Sequence, residues 1–284
     1  MRIGSYYLLM KPGIVYGNAV HTVAGSLFAI SVVGQGWLAA AAALVGTSCI
    51  IASACIVNNY GDRAIDAKMA RTKRRPSVTG EIPLAHGAVM AIVLFAAGSA
   101  ALLLWTNTLT WWLGVLAYIS YTVIYAYAKR RSPIGTIVGT VPGALPAVAG
   151  YTAVAGAFDT TALLLGLLIV VWQMVHFYAI AIFRKSEYKN AGVPVITTKL
   201  SFEAVRTRMI GYTVVYVLVI AAMLFEGALS AVSLAMMATG ALLWLLAVLK
   251  APGTHDAWAR RVFKISLLLS IVFLGSSIVA VAVG

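Results

Sequence analysis

An all-α polytopic membrane protein with nine transmembrane helices is the fold class this sequence predicts, and three observations predict it. Uncharged apolar runs of about 20 residues, enough for a helix to cross a hydrocarbon core, recur along the chain. Hydrophobic residues fill 62% of the 284 positions and charged residues only 10%, a balance foreign to soluble domains. The Lys and Arg residues are confined to alternate connections. The short alternating segments of a transmembrane barrel are absent.

The spans are expected at about 14–33, 37–57, 86–105, 109–128, 134–155, 161–182, 209–225, 229–249 and 262–283, forming one transmembrane domain over 1–284. Two cations precede the first span (Arg2, Lys11) and six separate the second from the third (Arg63, Lys68, Arg71, Lys73, Arg74, Arg75). Three lie between the fourth and fifth (Lys129, Arg130, Arg131) and six between the sixth and seventh (Arg184, Lys185, Lys189, Lys199, Arg206, Arg208). Four flank the eighth-to-ninth connection (Lys250, Arg260, Arg261, Lys264), which completes the 21 in the chain. With nine spans all of these fall on one side. The positive-inside rule makes that side cytoplasmic, with the N-terminus in and Gly284 out. The net charge of +13 is therefore largely topological, and a nucleic-acid partner is not expected.

The first run is read as a retained span rather than a signal peptide, entered through Lys11-Pro12-Gly13; Pro costs no hydrogen bond at a helix start. Asn18 is expected to face a cavity, whereas His21 fits either a cavity or an interhelical contact. Cys49 and Cys55 fall within the second span and read as packing residues.

That span runs into the stretch of greatest chemical interest. Asn58, Asp62 and Asp66 follow at four-residue intervals. If the helix continues, their side chains share one face with about 6 Å of rise between neighbours. Stacked carboxylates repel unless a cation lies between them. The chain has only eight Asp and Glu, and Arg63, Lys68, Arg71, Lys73, Arg74 and Arg75 come directly after this pair. An acidic ladder beside a basic cluster suits a metal-bridged diphosphate: Mg²⁺ takes one or two carboxylates plus phosphate oxygens, and Lys and Arg neutralise the rest. A solvated loop explains the basic cluster alone, but not the carboxylate spacing. Pro76, Gly80 and Pro83 then break the helix and predict an ordered cap before the third span.

The fourth span ends in Tyr121, Tyr125 and Lys129, also four apart, with Tyr118 and Tyr127 nearby. Membrane-interface anchoring and stabilisation of an allylic cation by phenol faces both account for these tyrosines, and Lys129 can hold a phosphate oxygen. In the fifth span, Gly135, Gly139, Pro142, Gly143 and Pro146 indicate close helix approach. The sixth carries Gln173 and His176, polar groups that are costly in an apolar helix unless partnered. Glu187 follows eleven residues after His176 on a similar face, with Arg184 between. The last three spans hold few polar residues; Glu226, His255, Asp256 and Arg260 are assigned to topology and packing.

Taken together, these motifs resemble the UbiA superfamily of intramembrane prenyltransferases, most closely its haem O synthase branch. The resemblance is carried by Lys11-Pro12-Gly13 with Asn18, by Asn58 to Asp66 continuing through Lys68, Met69, Arg71, Thr72 and Arg75, and by Tyr125 with Lys129-Arg130. It resumes at Gly135-Thr136, Gly139, Trp172 to His176 and Tyr178 to Arg184, then Tyr188 and Val193-Pro194. Val175 stands where that branch usually has Pro, and Glu187 where it usually has Asp.

The resemblance implies a UbiA-type bundle in the cytoplasmic (inner) membrane, in contact with membrane lipid. It implies farnesyl diphosphate and haem B as substrates, haem O and diphosphate as products, and Mg²⁺ as cofactor. By the same resemblance Asn58, Asp62, Asp66 and Glu187 hold metal, and Arg63, Lys68, Arg71, Lys129 and Arg184 bind diphosphate. Asp62, Asp66, Asn58, Lys129 and Tyr125 are catalytic, and His176 and Gln173 meet the haem. Contact with haem–copper oxidase assembly or haem A synthase is a further implication. The runner-up is a UbiA-type enzyme prenylating a quinone precursor. A transporter or a non-catalytic haem assembly factor are readings of other classes.

Overall fold

The structure is a computed structural model describing residues 3–226, 230–250 and 253–283; Arg2, Gly284 and the first residue of the expected eighth span lie outside the described residues. The chain opens with a short helix α1 (Ile3–Leu9), then α2 (Pro12–Val33) and α3 (Trp37–Gly61). Two helical turns, α4 (Arg63–Asp66) and α5 (Pro76–Thr79), precede α6 (Leu84–Trp105). The fourth span is composite: α7 (Thr108–Ile119), a π-helical turn over Ser120–Tyr125, and α8 (Ala126–Arg131). The fifth is broken into α9 (Gly135–Val138) and α10 (Thr140–Ala155). There follow α11 (Thr160–Phe183), α12 (Lys185–Ala191), α13 (Phe202–Phe225), α14 (Ala231–Leu249) and α15 (His255–Val283). Among the described residues, nine helices are long and apolar enough to cross a membrane.

The helix ends follow local chemistry. Asn107 caps α7 by accepting from Thr110 N at 2.9 Å, and Asp159 caps α11 through Ala162 N at 2.9 Å. Gly34 and Gly156 close α2 and α10 in the left-handed conformation. Two spans start about two turns earlier than hydropathy suggests, at Phe202 and His255. Hydropathy marks the lipid-facing length, whereas charged residues such as Glu203 and Arg206 sustain helix outside it.

The helices pack as a closed ring. α2 lies against α3, α10 and α15; α10 also meets α7 and α11; α11 meets α13 and α15; α14 bridges α13 and α15; and α6 covers α3 from outside. Small residues set the tightest seam, between α2 and α10. A Cβ built on Gly25 would strike the carbonyl oxygen of Ala147, and one on Gly150 the carbonyl oxygen of Thr22. Both neighbours are backbone and cannot rotate away, which is how membrane helices gain contact without a hydrophobic driving force between them. Ser26 Oγ uses the close approach to donate to Gly150 O at 3.0 Å.

The connection between α3 and α6 is ordered as a cap. Leu9, Ile56, Ile82 and Ala91 form a small apolar cluster that docks α1 on it. Asn59 Nδ2 donates to Leu9 O at 2.7 Å, Ser5 Oγ to Glu81 at 2.5 Å, and Tyr60 OH to Ile82 O at 3.0 Å.

The seam makes a prediction. Gly25→Val or Gly150→Val should each destabilise the bundle by about 1–3 kcal/mol, read as a lower unfolding temperature in detergent. Gly211→Ala, with nothing within 4 Å of the added carbon, should leave that temperature unchanged or slightly raised.

Candidate active site

The helices line a cavity of about 960 Å³. It is walled by α2, α3, the π-turn, α10, α11 and α15 and closed at one end by the stretch from Ile65 to Arg75. One end is charged and the body is aromatic and apolar.

At the charged end, α3 finishes at Gly61 and the backbone passes through Asp62 into α4. The four-residue repeat survives the joint, since Asp62 N donates to Asn58 O at 2.9 Å and Asp66 N to Asp62 O at 2.8 Å. Asn58, Asp62 and Asp66 thus come to one cavity although the helix does not run straight through them. All three are buried. Asp62 accepts a hydrogen bond from Lys129 Nζ through Oδ2 and one from Arg130 through Oδ1 at 3.2 Å. Asp66 Oδ2 accepts from Arg75 at 2.6 Å, and its backbone carbonyl takes the Thr72 hydroxyl at 2.9 Å.

Lys11 reaches this cluster from the other side. It is the one non-glycine residue with positive φ among those described, at 53°. Strain of this kind in a lysine persists only where the surroundings impose it. Its Nζ lies 2.6 Å from Asn58 Oδ1. Burial pulls the ammonium down to about 8 from 10.5, so it still carries its charge at neutral pH. A lysine can only donate, so this contact fixes which amide atom is the oxygen. Asn58 Nδ2 is then a buried donor without an acceptor. Four cations (Lys11, Arg71, Arg75, Lys129) and two carboxylates (Asp62, Asp66) line this end, an excess of two positive charges.

This donor set fits a divalent ion carried in with a phosphorylated ligand. Asp62 and Asp66 supply oxygens, the surplus positive charge supplies the anion's counterions, and Asn58 Nδ2 lacks the acceptor a phosphate oxygen would be. Among the described residues no group of three His, Cys, Asp or Glu forms a self-sufficient metal cage, so ligand oxygens would have to complete the shell.

Next to the charges stand Tyr121 and Tyr125, stacked with centroids 5.6 Å apart and planes 19° from parallel. The π-turn that holds them widens the helix locally, a distortion that frequently marks functional sites. Lys129 Nζ lies 4.8 Å from the Tyr125 ring centre, so a cation already occupies the face of this pair. Tyr121 OH also approaches Asn58 Oδ1 at 3.4 Å.

The far wall is built by α2, α11 and α15. His176 Nδ1 lies 2.8 Å from Ser266 Oγ, and His21 Nε2 lies 3.3 Å from Ser270 Oγ. Trp172 sits between the two imidazoles, 4.9 Å from His176 and 5.1 Å from His21. Gln173 is buried, with Nε2 donating to Thr140 O at 3.0 Å and to Ile169 O at 3.2 Å. Its carboxamide fills the space where a Cβ of Gly143 would lie.

The structure therefore brings Asn58, Asp62, Asp66, Arg71, Tyr125, Lys129, Gln173 and His176 to one cavity, together with Asn18 and His21. Arg63 and Lys68 are exposed and outside it. Arg184 and Glu187 do not line it either: they pair with each other at 2.8 Å, and Glu187 Oε2 lies 3.6 Å from Arg71 Nε. Glu187 is joined to the cavity through Arg71 rather than facing it.

Sequence reasoning assigned no site role of their own to Lys11, Arg75, Ser266 and Ser270, yet each makes a contact at the cavity. Lys11 and Arg75 stood within the family motifs, which was their signal. Ser266 and Ser270 are spaced one turn apart in an apolar helix, a pattern that serine also shows in ordinary helix packing. His255 and Arg260 make packing contacts, stacked on Phe202 and Phe183 respectively.

Over residues 19–268 the chain matches the UbiA prenyltransferase family. It is 38% identical over 271 residues to protoheme IX farnesyltransferase 2 of Shewanella sp. (strain MR-4), covering 94% of this chain and 87% of that one. To protoheme IX farnesyltransferase 2 of Chromobacterium violaceum it is 39% identical over 278 residues, covering 94% and 90%. Among solved structures, a UbiA homologue from Archaeoglobus fulgidus bound to DMAPP and Mg²⁺ superposes with a TM-score of 0.76 at 16% identity, covering 99% of this chain and 100% of that one. An apo UbiA homologue from Aeropyrum pernix K1 gives a TM-score of 0.75 at 20% identity, covering 94% and 97%. Helix count, cavity and sequence kinship thus agree, and this multi-pass helical membrane protein belongs to the UbiA prenyltransferase family.

Proposed function

We propose that this chain transfers the farnesyl group of farnesyl diphosphate to a vinyl group of haem B, giving haem O and diphosphate. The observation that carries the reading is the polarity of this cavity. A mouth with surplus positive charge and two carboxylates opens into an aromatic body with two imidazoles on its wall. At about 960 Å³ it stands at the upper end of ligand-site volumes, as a site for two large substrates would. Relatives at 38–39% identity that bear the name protoheme IX farnesyltransferase support the choice of acceptor.

The residues divide the work along the cavity. Lys11, Arg71, Arg75 and Lys129 gather the diphosphate and oppose the charge that grows on it as the C–O bond to the prenyl chain breaks. Asp62 and Asp66 would hold Mg²⁺ there, which when bound supplies further charge neutralisation to the leaving group. Lys129 and Arg75 pair with these same carboxylates and are placed to pass to phosphate oxygens. Asn58 Nδ2 donates to the diphosphate. Glu187 acts on the site through Arg71, and Arg63, Lys68 and Arg184 add to the positive potential from outside the cavity. The stacked Tyr121–Tyr125 pair shields the allylic cation from water. The vinyl carbon of the haem attacks its terminal carbon; water then adds to the cation left beside the ring and loses a proton, producing the hydroxyethylfarnesyl substituent. Gln173 and His176 meet the porphyrin.

In this reading the basic end faces the cytoplasm, the N-terminus is inside, and the protein resides in the cell inner membrane in contact with lipid. Its product passes to haem–copper oxidase assembly or to haem A synthase.

Two outcomes are expected. Purified protein given haem B and farnesyl diphosphate should yield a product with the mass of haem O, lost on adding a chelator; prenylation of a hydroxybenzoate instead would move the assignment to a quinone precursor. Asp62→Asn should lower diphosphate release by roughly 10²–10³-fold while membrane levels stay normal; full turnover in that variant would remove Asp62 from the chemistry.

A further inference from the structure

The hydrogen bonds around His176 determine which ring nitrogen carries its proton. Ser266 Oγ lies 2.6 Å from Phe263 O and donates to it. A serine hydroxyl has one hydrogen, so towards His176, 2.8 Å away, Ser266 can only accept. The proton therefore sits on Nδ1, and Nε2 of the neutral ring keeps its lone pair. Among the described residues Nε2 has no hydrogen-bond partner, and His176 lines the cavity.

The ring is also clamped in direction. Trp172 stacks on it at 4.9 Å and 25°, Phe263 lies at 4.8 Å and Phe177 at 5.6 Å. Ser266 holds the stacking partner as well, because its carbonyl accepts from Trp172 Nε1 at 2.8 Å. One residue of α15 thus locks both members of a pair that stand one turn apart on α11. The second imidazole differs. The Ser270 hydroxyl has no further partner among the described residues, so the 3.3 Å contact leaves the His21 tautomer open.

A histidine that donates from one nitrogen and directs a bare, oriented second nitrogen into a cavity has the arrangement of a metal-ligating imidazole. We infer that His176 Nε2 is an axial ligand to the iron of the haem substrate and that Ser266 is the positioning residue that sets its tautomer and orientation. This rests on the haem reading proposed above.

The test uses the full chain in detergent, titrated with haem B, with the iron–histidine stretching band of the ferrous complex read by resonance Raman. Wild type should show the band; His176→Gly should lose it, and added imidazole should restore it. Ser266→Ala should shift the band and weaken haem binding roughly 10- to 100-fold, whereas Ser266→Thr, which keeps the hydroxyl, should preserve both. Iron-free protoporphyrin IX, which offers no axial site, should bind wild type and Ser266→Ala alike.

An unchanged band in His176→Gly overturns the ligation. A wild-type band and affinity in Ser266→Ala, or an equal loss of iron-free porphyrin binding there, overturns the positioning role. Should wild type bind farnesyl diphosphate but no haem B, the haem reading itself falls. That outcome differs from one in which haem binds without a histidine band, where only the present inference fails.

Discussion

Two buried carboxylates placed at the edge of a lipid-embedded bundle impose the governing constraint on this protein. Taking a charge from water into a poorly polarisable surrounding is costly unless an opposite charge and hydrogen bonds meet it. Asp62 and Asp66 are met by Lys129 and Arg130 from the end of the fourth span and by Arg75 from the connection between the second and third. The end of α3, the α4–α5 cap and the end of α8 are therefore fastened by the pairing of these groups, and the four cations that line the mouth outnumber its two carboxylates and leave it positive. A site built this way has its carboxylates paired and still presents net positive charge to an anion.

Precision elsewhere comes from small residues and one local distortion. Gly25 and Gly150 let α2 and α10 touch backbone to backbone, which fixes the rotation of both helices and hence the direction of His21 and Asn18. Gly143 makes room for Gln173, so the amide is held by backbone carbonyls rather than left searching for partners. The π-turn over Ser120–Tyr125 breaks the helical register and carries both tyrosines, whose rings stack with planes 19° from parallel.

Much of the site was legible before any coordinates. The Asn58-Asp62-Asp66 spacing, the crowd of cations after it, and the two polar residues of the sixth span stand out against an apolar background, where each polar group needs a reason. What was not legible concerned partnership. Arg63 and Lys68 belong to the same basic cluster as Arg71 and Arg75, yet only the latter two line the cavity. Glu187 was read as an acid facing the site and is engaged by Arg184 and Arg71. Ser266 carries no signal in the sequence that sets it apart from a packing serine, and its contact with His176 exists only in the folded bundle.

By itself, then, the sequence determined the number of spans, the single charged end and the identity of the acidic ladder. Hydropathy and helical period are local properties, governed by the cost of exposing backbone and charge to lipid, and they are written residue by residue. Only the tertiary structure decided which cation answers which carboxylate, which arginines turn away, and that a serine meets a histidine 90 residues earlier in the chain. Those outcomes depend on how far each helix is rotated and how closely it approaches its neighbours, and such quantities are set by packing between segments distant in sequence.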